Sequence, residues 1–376
     1  MKERIVYLVP GFFGFASLGT VTYFRGVAEV LEEELARLGR KARVVACATE
    51  PTGSIRRRAE QLLQNVLDTG GLEARELHFV GHSTGGLDVR LLLSPGVRLR
   101  DDGSEDEVIR RTRTAITVST PHRGTPLANF FLTAQGQRLL ETLAILATSR
   151  QGRGVLWVGA QALSLVASLD NWTGRTDTFL DELSRNILSR VTLTPGDPMF
   201  AFLDAVKSDQ GLVIQLTPEA MDLIHAALPD NPGIRYGCVI TAAPPSLQAF
   251  APRDFRSPDR AIFASLFIAL HAIVGRASAQ YPCPTPSPAD RALLIEGLGF
   301  DVGPRTNDGI VPTLSQLHGP VLAVARADHL DVVGQFAGDT AKPLDDWLPS
   351  GSRFDQEGFE AVWKRVAAAM VVHDRK

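Results

Sequence analysis

A chain of 376 residues, 44% hydrophobic and 22% charged, is long and apolar enough to bury a full core and has neither a disordered nor a fibrous composition. Its formal charge of −3, from 39 Lys and Arg against 42 Asp and Glu, gives no electrostatic ground for a nucleic-acid partner or an anionic membrane surface. The basic clusters Arg56-Arg57-Arg58 and Arg110-Arg111 read as solvated faces, and the widely spaced Cys47, Cys238 and Cys283 lack the spacing of a zinc site and allow at most one disulfide.

The chain opens MKERIVYLVPGFFG, an apolar run too short for a signal sequence and ended by Pro10-Gly11. It reads as a first core strand, Arg4–Val9, of a cytoplasmic protein, or of a secreted one if a leader is removed. A helix follows over Tyr23–Leu38, with Phe24, Val27, Leu31, Leu35 and Leu38 on one face and Gly39 as its stop. Strand Ala42–Ala46, helix Ile55–Leu67, strand Leu77–Val80, helix Thr84–Leu93 and strand Thr114–Val118 continue the alternation, which predicts a parallel sheet with helices on both faces.

From about 127 to 230 the pattern is helical, until strand Gly233–Thr241 resumes the sheet. A proline-rich stretch from about 244 to 304 precedes the last strand, Val321–Ala325, and Gln356–Met370 reads as a closing helix. The expected organisation is a core of 1–126 and 233–376, a helical cap at 127–232, and a second cap-like insertion at 244–304. Val155–Leu169 and Ala261–Gly275 are apolar on nearly all sides, as buried helices are, or as a lid over an apolar pocket would be. No run reaches the roughly 18 or more apolar residues of a membrane span.

The stretch HFVGHSTGGLDVR carries G-x-S-x-G at Gly81–Gly85, between a strand and a helix. In that setting the glycines allow a tight turn that presents Ser83 as a nucleophile. A serine hydroxyl needs a base, and this architecture orders them Ser, acid, His. His329 in ARADHLDVVG, after the last strand, and Asp308 in TNDGIVP satisfy that order. His82 adjoins the nucleophile but points away from it; His122 precedes any suitable acid; His318 lies before the last strand; His225, His271 and His373 have no motif around them. Asp328 and Asp331 compete with Asp308 as the acid but sit too near His329 in sequence to orient its ring easily, and Asp301 is a weaker competitor.

An acyl-transfer site also needs oxyanion donors. The N–H of Thr84, after the nucleophile, is one; LVPGFFGF offers the other at Phe12, where Gly11 permits close approach. Phe13 and Phe15, with His82, then fall to substrate binding; the plainer alternative is a glycine turn plugged by core aromatics.

Taken together, VPGFFG, GHSTGG, STPHRGTPLA, NDGIVP and DHLD resemble, in the same order, the motifs of bacterial triacylglycerol lipases of the α/β-hydrolase fold, over about Arg4 to Pro126 and Gly233 to Gln335. The resemblance implies Ser83, Asp308 and His329 as a triad and Phe12 and Thr84 as oxyanion donors. It also implies a structural calcium near the histidine loop, with Asp331 as one carboxylate and Gln335 as a carbonyl ligand; the second carboxylate that calcium needs has no evident place in the sequence. Pro10 stands where that family usually has His, and the family's cysteine bridge is not evident.

The expectation is a serine carboxylic-ester hydrolase, lipase or esterase, with no cofactor required for its chemistry and with small-molecule or lipid esters as substrates. It would meet a lipid interface only transiently. Polyester depolymerisation or acyl transfer by the same triad is the alternative, because a fold and triad do not fix the substrate.

Overall fold

A computed structural model describes residues 3–14, 17–18, 21–148, 185, 198–244, 258–276, 281, 283–336, 346 and 348–371. Its strands are β1 (Arg4–Val9), β2 (Ser17–Leu18), β3 (Val21–Thr22), β4 (Arg43–Ala46), β5 (Glu76–His82), β6 (Thr112–Val118), β7 (Arg235–Ala242) and β8 (Val321–Arg326). Six of them form one parallel sheet in the order β4-β1-β5-β6-β7-β8. β2 and β3 make a separate antiparallel ladder that the sequence pattern did not reveal.

The sequence of β1, RIVYLV, shows why the sheet is a middle layer. Strand side chains alternate faces, and both sets here are apolar. Val6 and Leu8 join Val27, Leu31 and Leu35 of α1 (Val27–Arg37) and Trp363 of the Gln356–Val371 helix. Ile5, Tyr7 and Val9 join Leu62 and Leu63 of α2 (Ile55–Asp68) and Val89 of α3 (Gly85–Leu93) on the other face. α1 begins at Val27 and not at Tyr23, because Gly26 takes a left-handed φ of 73° and the Arg25 N–H is spent on the Val333 carbonyl.

α4 (Ser104–Arg111) leads into β6. Between β6 and β7 the described chain is helical: α5 (Pro126–Phe131), α6 (Ala134–Thr148), then Pro198–Ser208, Gly211–Gln215 and Pro218–Ala227. Pro258–Val274 is the apolar helix expected near 261–275, and it packs Leu266, Phe267 and Leu270 against Leu127, Phe131, Leu140 and Phe202. The second helix of that insertion, Pro288–Leu298, does not belong to a cap: Leu294 is buried against Cys238 and Ile240 of the sheet. The apolar segment 155–169 lies outside the described residues. Among the described residues no helix is long and apolar enough to cross a membrane.

Candidate active site

Strand β5 ends at His82, and the chain turns at Ser83 into α3. Ser83 has φ 54°, a left-handed conformation that costs a non-glycine residue on the order of 1–3 kcal/mol and recurs where function demands it. The turn is held by the Ser83 N–H on the Val118 carbonyl at 2.8 Å. Its glycines have steric causes: a Cβ on Gly81 would strike the backbone of Gly85 and Gly86, and one on Gly85 would strike the carbonyls of Val9 and Pro10.

His329 lies in the loop after β8, and its ring Nδ1 is 2.8 Å from Asp308 Oδ2. Asp308 is fully buried; its Oδ1 accepts the Ile310 and Val311 N–H groups at 3.0 and 2.7 Å, and its Oδ2 also accepts from Thr241 Oγ1 and Gln316 Nε2. The competing carboxylates are engaged elsewhere. Asp328 caps Leu330 and Asp331, and Asp331 accepts from Asp328 N–H and Ser352 Oγ. Asp301 pairs with Arg291. Of the other histidines, His122 and His225 lie beside Arg90, and His318 pairs with Asp230 while its ring stacks on His122; His373 lies outside the described residues.

The loop after β1 turns back under the elbow. Gly11 approaches so closely that an added Cβ would lie 2.6 Å from Ser83 Cβ. Phe13, at φ 72°, donates its N–H to Pro51 O at 2.9 Å, and Gly14 closes the turn on Gly11 O. Among the described residues no protein acceptor takes the N–H of Phe12 or of Thr84. Both residues line the same cavity as Ser83 and His329.

Arg58 holds this loop to the nucleophile helix. Its guanidinium donates to the carbonyls of Pro10, Gly11 and Glu50 and to Asp88 on α3 at 2.8 Å, with both charged side chains wholly buried. Burial pushes the Asp88 carboxyl up to about 6 against the pull of Arg58. Arg58 does not share the solvated face expected for Arg56-Arg57-Arg58: Arg56 and Arg57 are exposed, but Arg58 faces inward, where its donors meet carbonyls that have no ladder partner.

The cavity has a volume of about 170 Å³. Beyond Ser83, Thr84 and His329 its wall is mostly apolar, including Phe12, Phe13, Phe131, Leu143, Phe263 and Leu270. Phe15 lies outside the described residues. His82 does not reach the cavity, contrary to its expected role in substrate binding: it is wholly buried, with Nδ1 2.8 Å from Tyr23 Oη and Nε2 2.8 Å from the His329 carbonyl. Burial, then the charge His329 can carry, hold its ring well below the ordinary histidine range.

The residues that the resemblance implies for calcium, Asp331 and Gln335, follow His329 closely in the chain. Asp331 Oδ2 accepts two protein donors, and the Gln335 amide donates to the carbonyls of Thr22 and Tyr23. Among the described residues no group of three or more His, Cys, Asp or Glu is gathered to hold a metal.

No family model matches the chain. A triacylglycerol lipase of Vibrio cholerae serotype O1 is 34% identical over 92 residues, 24% of this chain, and the match spans 27% of that relative's length. Solved structures align over nearly the whole chain. Staphylococcus hyicus lipase gives a TM-score of 0.53 at 14% identity, covering 98% of this chain and 95% of its own. Lipase 1 from Pelosinus fermentans gives 0.52 at 17%, covering 98% and 99%, and EstA from Clostridium botulinum gives 0.51 at 16%, covering 98% and 88%. The chain has the α/β-hydrolase fold and resembles bacterial triacylglycerol lipases.

Proposed function

We propose that the chain is a serine carboxylic-ester hydrolase that works through an acyl-enzyme on Ser83. The observation that carries this reading is that Ser83, on its left-handed turn, and His329, bonded through Nδ1 to buried Asp308, line one apolar cavity.

With Nδ1 directed to Asp308, Nε2 of His329 is the nitrogen left for the reaction. It takes the Ser83 proton as Oγ attacks the ester carbonyl, and Asp308 holds the ring tautomer and stabilises the imidazolium. The oxyanion that forms is received by the Phe12 and Thr84 N–H groups, with the N-terminus of α3 behind Thr84 adding its dipole. His329 then protonates the departing alcohol. Water, deprotonated by the same nitrogen, attacks the acyl carbon and releases the acid and free Ser83. No cofactor enters these steps.

The wall of the cavity favours esters with an apolar acyl or alcohol part, since each buried CH2 contributes about 0.8 kcal/mol. A panel of p-nitrophenyl esters of increasing acyl length tests the reading: wild-type protein is expected to turn over the apolar members and Ser83→Ala to turn over none. Equal turnover by Ser83→Ala would rule it out.

A further inference from the structure

His82 occupies the variable position beside the nucleophile, yet it touches neither Ser83 Oγ nor the cavity. It stands in the middle of a hydrogen-bonded line from the oxyanion loop to the catalytic histidine. The Gly11 N–H lies 2.9 Å from Tyr23 Oη, Tyr23 Oη lies 2.8 Å from His82 Nδ1, and His82 Nε2 lies 2.8 Å from the His329 carbonyl.

Both ends of the line have a fixed sense. A backbone N–H can only donate and a carbonyl can only accept. His82 Nε2 therefore carries a hydrogen and donates to the His329 carbonyl, and Tyr23 Oη accepts from Gly11. On a neutral His82 ring Nδ1 is then the acceptor of the Tyr23 hydroxyl hydrogen. Burial and the neighbouring His329 ring, with centroids 4.7 Å apart, both oppose a charge on His82.

We propose that Tyr23 and His82 are positioning residues that fix the oxyanion loop and the His329 backbone as one unit. Asp308 orients the His329 ring; the His82–Tyr23 pair sets where the peptide carrying that ring sits relative to Gly11, one residue before the Phe12 donor. The pair also keeps a neutral ring beside the imidazolium that forms on His329. Gln335 braces the same segment from the histidine side, by donating to the carbonyls of Thr22 and Tyr23. The proposal deepens the acyl-transfer reading and rests on it.

The test has one arm that needs no turnover. In protein carrying 15N-labelled histidine and Ser83→Ala, the His82 signals, identified by their loss in His82→Phe, are expected to show Nε2–H and an accepting Nδ1, with no titration between pH 5 and 8. Tyr23→Phe should shift the Nδ1 signal. A His82 carrying its proton on Nδ1, or titrating in that range, would overturn the proposal.

The second arm is kinetic. Tyr23→Phe keeps the ring and removes only the hydroxyl, so it is expected to lower kcat roughly 10-fold with KM within about twofold and the unfolding midpoint close to wild type. His82→Phe should lower kcat similarly, and the double variant should be no worse than the more damaged single one. Losses that multiply, or a wild-type kcat in Tyr23→Phe, would also overturn it. If the tautomer is as expected but the wild-type protein hydrolyses no ester, the acyl-transfer reading fails and the line loses its positioning purpose with it.

Discussion

Asp308 and His329, 21 positions apart, are joined twice: Oδ2 of Asp308 to the ring Nδ1 at 2.8 Å, and the His329 N–H to the Asp308 carbonyl at 3.0 Å. The ring and the backbone of the histidine are thus referred to the same residue. In Asp308→Asn the amide can present a donor to Nδ1 and favour the wrong tautomer. The expected result is a kcat lower by about 10³–10⁴ with folding little changed. Steady-state kinetics beside a denaturant melt measures both; a loss below tenfold would contradict the assigned role.

The Arg58–Asp88 pair is wholly buried, and Arg58 also satisfies three loop carbonyls. Removing one partner leaves a buried charge and orphaned acceptors. Arg58→Ala is expected to destabilise the fold by about 3–5 kcal/mol. Replacing both residues with apolar ones, as in Arg58→Met with Asp88→Leu, should recover part of that stability while kcat stays low, because the loop of Pro10 and Gly11 has still lost its anchor. Urea unfolding of the two variants gives the comparison.

His78 on β5 is buried against Thr114 Oγ1 at 2.8 Å, and burial lowers its pKa from an ordinary 6.5 to about 4. The folded state therefore holds it neutral where the unfolded chain takes up a proton. Its contribution to stability is present above pH 6.5 and is lost as pH falls from 6.5 towards 4, with a slope of about 1.4 kcal/mol per pH unit. Unfolding free energies of the wild type and His78→Gln, measured from pH 7 to 4.5, should converge by that slope; parallel curves would show that His78 titrates normally.

Leu143 of α6 is half-buried and lines the cavity. Leu143→Trp fills space that an acyl chain would occupy. The expected outcome is a drop of roughly 10-fold in kcat/KM for octanoyl and longer esters, since several buried methylenes are lost, with butyrate hydrolysis nearly unchanged. An unaltered chain-length profile would place the acyl group outside this cavity.

Much of the sheet was legible because parallel strands buried on both faces leave unbroken apolar runs, as RIVYLV does. The candidates Ser83, Asp308 and His329 were legible because each sits in a short motif, Ser83 and His329 just past strand ends and Asp308 in the loop before the last strand. Arg58, Tyr23 and His82 were not. The role of each depends on segments far apart in the chain, such as Tyr23 meeting His82 59 positions on, and local spacing carries no trace of that. The cluster Arg56-Arg57-Arg58 illustrates the difficulty. Three like residues on one helix read as one face, but the 100° step between neighbours turns Arg58 inward while Arg56 and Arg57 meet solvent.

A covalent acyl intermediate on Ser83 is the step on which every other proposed role depends. Rapid mixing with a p-nitrophenyl ester, acid quench and peptide mass spectrometry tests it directly. The expected result is an acyl adduct on the peptide carrying Ser83, formed in step with a burst of p-nitrophenol and absent from Ser83→Ala. Turnover with no adduct on Ser83, or an adduct that survives in Ser83→Ala, would contradict the claim.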